Sequence, residues 1–166
     1  MIGDNPTTIR IPKSKTSWTE KAFQEWFNAT FENRFELMSC SQDFHTFDFW
    51  MLNVGQPDVQ PRIIELKAHI GKKGLDRAFV GCDFIKIQKL RNLCIGTKAY
   101  VFHLFEDCVL IQDVDTRITQ FKKTTWNDQE VLLGLISVHN IDRKFSVGLA
   151  NLRPQYVQES SKAVSS

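Results

Sequence analysis

Apolar positions recur at helical spacing early in the chain, where Trp18, Ala22, Trp26 and Ala29 run beside Phe23, Phe27 and Phe31. So wide an apolar face predicts a buried helix over roughly 17–33. Ser17, followed three residues later by Glu20, matches a capping box at its start. The period then shortens to that of strands. Phe35 to Met38 reads as a short strand, a second is expected over about 45–52, and a third over 62–68, joined by the turn-rich stretch 53–61. Gly71, Gly74 and Gly81 punctuate residues 69–82, which predicts a loop that approaches a ligand. A second helix is expected from Asp83 to Cys94, with Gly96 as its stop. Ala99 to Phe105 and Cys108 to Gln112 predict a hairpin across Glu106 and Asp107. Residues 128–137 carry acids first and apolar residues after, which suits a helix despite Gly134, and 144–149 suits an edge strand.

Composition adds bounds to this order. At 166 residues, 42% apolar and 24% charged, the chain is long enough for one full core. We expect an irregular arm over 1–15, a single domain over 16–156 and a disordered Ser-rich tail over 157–166. No run approaches the roughly 20 apolar residues of a membrane span. With no secretory pattern after Met1, the expected location is intracellular, in the cytoplasm of a bacterium or an infected host cell. Cys40, Cys82, Cys94 and Cys108 lack the spacing of a structural zinc site and read as free thiols. The net charge of +2 is small, but Lys67, Lys72, Lys73, Arg77, Lys86, Lys89, Arg91 and Lys98 crowd the middle of the chain.

The candidate chemistry lies in that region. Asp48 sits inside an apolar run, and Glu65 and Lys67 interrupt another, Arg62 to Ala68. In a strand Glu65 and Lys67 share one face while Ile64 and Leu66 share the other. Burying such charges is expensive unless they are paired or hold a metal. Two acids on neighbouring strands suit an open Mg2+ site, with Mn2+ able to substitute, and the Leu66 carbonyl would complete it. Lys67 reaches the same face, where an ammonium can orient water and offset charge developing on a phosphoryl group.

Asp48 followed by Glu65-Leu66-Lys67 resembles the PD-(D/E)XK nuclease superfamily, whose motif is an acid on one strand and (D/E)-x-K on the next. Phe47 stands where the motif name has proline. Through residues 17–105 the resemblance implies an α/β fold with a restriction-endonuclease-like core: a central mixed β-sheet flanked by helices, in the order helix-strand-strand-strand-helix-strand. It also implies Glu20 as a further acid on the first helix, and Gln88 on the second helix as a helper, as in Holliday-junction resolvases and small phage nucleases. The implied activity is Mg2+-dependent DNA hydrolysis, structure-specific or end-directed, in viral or bacterial replication, recombination or repair. DNA is the expected partner, with a homodimer plausible for a resolvase.

Each of these residues has a plainer reading. Glu65 and Lys67 suit an exposed cross-strand ion pair worth under about 1 kcal/mol. Asp48 suits a strand-end acid bonded to a backbone amide, and Glu20 a helix cap. Lys86 and Gln88 suit a solvated helix face. Lys72, Lys73, Arg77, Lys86 and Lys89 are expected to contact DNA phosphates if they flank the acids, and His69, two residues past Lys67, to join them. His103 is expected to be a hydrogen-bonded strand residue, and His45 and His139 have no partner of catalytic pattern. The competing function is a catalytically inactive module that binds nucleic acid or protein on the same fold.

Overall fold

A computed structural model describes residues 15–40, 47–69, 72–105, 107–141 and 143–145. Most of the expected arm, all of the expected tail, His45 and the second half of the strand expected over 144–149 lie outside these residues. The elements run α1 (Lys15–Thr30), β1 (Phe35–Ser39), β2 (Phe49–Asn53), β3 (Arg62–Ala68), β4 (Phe79–Asp83), α2 (Phe84–Leu93), β5 (Ala99–Leu104), β6 (Val109–Asp113), β7 (Gln120–Trp126), β8 (Gln129–Ser137), a 3-10 turn (Val138–Asn140) and β9 (Arg143–Phe145). Six strands form a mixed sheet in the order β1-β2-β3-β5-β6-β9, and β4, β8 and β7 form a second, antiparallel sheet. Among the described strands only β3 and β5 pair in parallel. The expected α/β architecture, a central mixed sheet with two helices against it, is the observed one.

The central strands are covered on both faces. Phe23, Trp26 and Phe27 of α1, with Phe31 just after it, pack on Phe49, Met51, Ile64, Phe102 and Leu104, and the Phe23 and Phe102 rings meet edge to face at 5.8 Å. On the opposite face Ile63, Ala99 and Val101 meet Ile87 and Leu90 of α2, with Cys82 and Val114. A third cluster, around Phe105, Cys108, Leu110 and Ile136, joins the two sheets. Ile63 and Ile64 therefore both lie in the core, which explains why β3 reads as an apolar run rather than an alternating one. The Asp83 carboxylate accepts a hydrogen bond from the Ile85 N–H at 2.9 Å and starts α2.

Three expectations are corrected. The region 69–82, expected as a loop, contains β4. A Cβ at Gly81 would meet the Leu135 side chain at 3.0 Å, so this glycine lets two strands approach rather than making a flexible loop. Residues 128–137, expected as a helix, comprise a turn residue, Asp128, followed by β8. Asn127 and Asp128 take φ of 50° and 62°, and two successive residues of positive φ reverse a hairpin with the twist its strands require. That turn returns the chain along β7 before a helix can start. Finally, α1 is already helical at Lys15, two residues before Ser17, so Ser17 is not an N-cap and the capping explanation of Glu20 is lost.

Gly74 is the tightest of these close approaches. The Asp107 carboxylate accepts the N–H groups of Gly74 and Leu75 at 2.7 and 3.2 Å, drawing the segment onto buried Phe105 and Cys108. A Cβ there would fall 2.5 Å from the Phe105 ring and 2.8 Å from Cys108 Sγ. Gly74→Ala should destabilise the fold by about 1–3 kcal/mol through overpacking; urea unfolding that matches the wild type would refute this.

Candidate active site

The site forms where β2 stops pairing with β3. The last ladder pair on this side is Phe49↔Ile64, and one step further the Asp48 N–H still donates to the Ile64 carbonyl at 3.1 Å, while the Asp48 carbonyl accepts from the Cys40 N–H at 3.2 Å. With its backbone held on both sides, Asp48 turns its carboxylate to the next free donor of β3. Asp48 Oδ2 accepts the Leu66 N–H at 2.7 Å. Glu65 lies beside it. Its Oε1 is 3.2 Å from Lys86 Nζ of α2, with the two side chains 16% and 29% exposed, and its Oε2 is buried and receives no hydrogen bond.

Burial, then the neighbouring Asp48 charge, pushes the Glu65 carboxyl up to about 8, against the opposing pull of Lys86. Asp48 is also raised by burial, and the Leu66 N–H, Lys86 and a hydrogen bond with Glu65 hold it back. Glu20 of α1 is raised by burial and by Asp48, and Lys86 pulls it down. The fold thus gathers Glu20, Asp48, Glu65 and Lys86 into one electrostatic cluster. Two carboxyls this close share a proton unless a cation replaces it. The donor set is all hard oxygen, and Glu65 Oε2, buried without an N–H donor, fits a divalent cation. Among the described residues no three of His, Cys, Asp and Glu stand close enough together to enclose a metal, so the fit is to an open, two-carboxylate site.

Lys67 takes a different direction. Its Nζ lies 5.9 Å from the centre of the Trp126 ring, and its charge bears on His69, His103 and Cys82. Beside it runs a polar chain into the core: His69 Nε2 is 3.1 Å from His103 Nδ1, and His103 Nε2 is 2.7 Å from Gln112 Oε1. With Gln112 Oε1 accepting, His103 carries its proton on Nε2 and accepts from His69 through Nδ1. The His69 ring stacks on Phe105 at 4.3 Å. Burial, and then the charges around them, hold His69 down to about 3; burial holds His103 down to about 4. His69 is therefore held towards its neutral form and packed on the Phe105 ring.

No family model matches the chain, and no curated protein matches it. Among solved structures it is similar to Hjc, a Holliday junction resolvase from the archaeal hyperthermophile Archaeoglobus fulgidus. The two are 14% identical over 80% of this chain and 95% of that one, with a TM-score of 0.46.

Of the remaining expected site residues, Lys72 and Lys73 are exposed and Arg77 is half-buried, with its guanidinium 5.2 Å from the Phe105 ring centre. The Lys67, Lys72 and Arg77 charges converge on His69. Lys89 is exposed on α2. Gln88 stands about 200° around the helix from Lys86 and makes no hydrogen bond to the acids. Sequence reasoning placed Lys86 on a DNA-facing surface and overlooked the His69–His103–Gln112 chain and Trp126. The phase of α2, with Ile87 and Leu90 inward, was the available signal for Lys86. The parallel register Lys67↔His103 had no local signal.

These groups set a pH dependence of stability. Glu65 holds its proton in the fold up to about pH 8 but only to its ordinary 4.5 when unfolded, so its contribution is full below 4.5 and is lost as pH rises towards 8. His69 and His103 act oppositely: the unfolded imidazoles take up protons below 6.5 and the folded ones do not, so their contribution grows up to pH 6.5. Above 6.5 the carboxyl effect stands alone. Without divalent metal, the melting temperature should fall by roughly a few degrees from pH 6.5 to 8, and Glu65→Gln protein should show a flat profile. Equal slopes in the two proteins would remove the carboxyl pair as the cause.

Proposed function

We propose that this protein is a metal-dependent DNA nuclease that hydrolyses phosphodiester bonds on structured or end-containing DNA. The observation that carries the reading is the Asp48–Glu65 pair, two adjacent, largely buried carboxyls that meet each other with no N–H donor on Glu65 Oε2, bounded by Lys86 and by the basic segment after β3. Carboxylates beside a polyanion are unfavourable without a cation to offset them, so a site built only to hold DNA has no use for the pair. Its setting in viral or bacterial replication, recombination or repair, and its action as a dimer, are parts of the same proposal.

Asp48 and Glu65 would hold Mg2+ or Mn2+, with the Leu66 carbonyl, which projects to the same strand edge as its bonded N–H, as a third oxygen. Such an ion, when bound, supplies a water of lowered pKa and neutralises phosphoryl oxygens. Lys86 pulls Glu65 towards its ionised form against its burial and the Asp48 charge. Lys67 leaves Trp126 to face the phosphate, where its ammonium orients the attacking water and offsets the charge of the transition state. Glu20 draws a proton or a further water to the edge of the cluster. Lys72, Lys73, Arg77 and Lys89 neutralise flanking phosphates and make binding salt-dependent. A second reading, a binding module without hydrolysis, is favoured by the single fact that Lys67 lies against Trp126 rather than beside the acids.

The deciding experiment incubates purified protein and Mg2+ with single-stranded, duplex, flapped and four-way-junction DNA. Cleavage of at least one substrate is expected, and EDTA should stop it. Glu65→Ala and Lys67→Ala should each reduce the rate by roughly 100-fold or more. No cleavage of any substrate, with metal-independent DNA binding retained, would establish the binding module instead. Lys86→Ala should act differently: by removing the cation that lowers Glu65, it should move the acidic limb of the rate profile to higher pH. An unshifted profile would deny Lys86 that role.

A further inference from the structure

The β7–β8 ribbon outruns the sheet to which it belongs. β4 pairs with β8 only from Phe79↔Ser137 to Asp83↔Leu133, whereas β7 and β8 stay paired out to Trp126↔Gln129. The outer four pairs, from Lys123↔Leu132 onwards, have no third strand among the described residues. At the end of this ribbon Trp126 is 66% exposed, yet it is the group that lies over Lys67 Nζ. Lys67 shares a strand face with Glu65, two residues or about 7 Å away along β3. An uncovered indole thus lies over the ammonium of a lysine that shares its strand face with Glu65.

The charges around that indole favour one kind of occupant. Strand alternation puts Lys122 and Thr124 on the ribbon face of Trp126, opposite Leu133 and Val131. Glu130 falls on the other face and is paired with Lys123 at 3.5 Å; Asp128 sits in the turn. Phe121, the other exposed aromatic of β7, belongs to that other face and is engaged edge to face by Phe84 at 5.0 Å. Trp126 is therefore a single flat ring with the Lys67 ammonium against it and Lys122 further along the same ribbon face, not part of an apolar patch of the size protein partners bury. A nucleobase with a phosphate on either side meets both features, because an aromatic ring stacks any base while nearby cations hold the backbone.

We propose that Trp126 is a stacking platform for one unpaired base of the DNA strand whose backbone passes the Asp48–Glu65 pair, making the site selective for single-stranded or flapped DNA. The path of the backbone rests on the nuclease reading above; the platform itself does not. In a duplex that base is already stacked and paired, so the indole gains nothing from it.

The test measures binding to full-length Glu65→Gln protein, so that cleavage does not interfere, using labelled single-stranded, flapped and blunt duplex oligonucleotides of one sequence. Adding Trp126→Ala should weaken binding of the first two by at least about tenfold and leave the duplex unchanged. Trp126→Phe, which keeps a ring at an exposed position, should restore most of the affinity. A single abasic position moved along the strand should reproduce the loss at one site, and should cause no loss there in the Trp126→Ala protein. Equal weakening on duplex, or no weakening on any probe, would overturn the platform, as would dissociation of a dimer by Trp126→Ala without a change in strand binding. The two readings fail separately. A wild-type protein that cuts nothing but binds strands through Trp126 sinks the nuclease alone; one that cuts, with Trp126→Ala binding strands normally, sinks the platform alone.

Discussion

Ile63 and Ile64 are adjacent in sequence, point to opposite sides of β3 and are both buried, so this strand needs an apolar layer on each face. The aromatic side of α1 supplies one layer; α2 supplies the other through Ile87 and Leu90. The parallel pairing of β3 with β5 has the same origin, since two parallel neighbours must be joined by a crossover. Here that crossover is β4 followed by α2. It carries Lys86 over the sheet to Glu65 and plants β4 as the edge on which β8 and β7 are built. The second sheet, the ribbon and the cation beside the acid pair are all consequences of a strand that must be covered twice.

The acids tolerate this setting because the ladder ends beside them. Where β2 leaves β3, the Leu66 N–H would be an unpaired donor in a half-buried position. Asp48 satisfies it with its side chain, and so combines a structural hydrogen bond with a place in the carboxyl pair. Glu65 has less support: one oxygen on Lys86, the other buried with no N–H donor. An arrangement of this kind is unfavourable as it stands, because burial and the neighbouring acid both disfavour the ionised carboxylate. The neutral His69–His103–Gln112 chain shows the opposite economy. It lies among the charges of Lys67, Lys72 and Arg77 yet stays uncharged, because burial and those cations together disfavour another positive group.

Much of the fold was legible in the sequence because its signals are local. The α1 face is a run of aromatics at helical spacing, β3 was placed at 62–68 as observed, and α2 was placed within a residue at each end. The failures also have local causes. Gly81 and Gly134 read as breakers, but each makes room for a side chain of a neighbouring element, and a glycine that serves packing looks like one that serves flexibility. The Asn127–Asp128 turn was hidden because acids followed by apolar residues imitate a helix start. Without that turn β7, β8 and the whole second sheet were invisible.

Sequence alone determined which residues carry charge in apolar surroundings, and it put Asp48, Glu65 and Lys67 forward, because alternation along a strand is a property of the backbone. It also determined the order of elements through β5 apart from β4, whose residues read as a loop. Tertiary structure alone decided which charges meet. Lys86 reaches Glu65 from a helix 21 positions away, Lys67 lies under Trp126, and His69 finds His103 across a parallel register. Pairing between strands and the packing of a helix across them are set by which faces can be buried together. No stretch of the chain records that by itself.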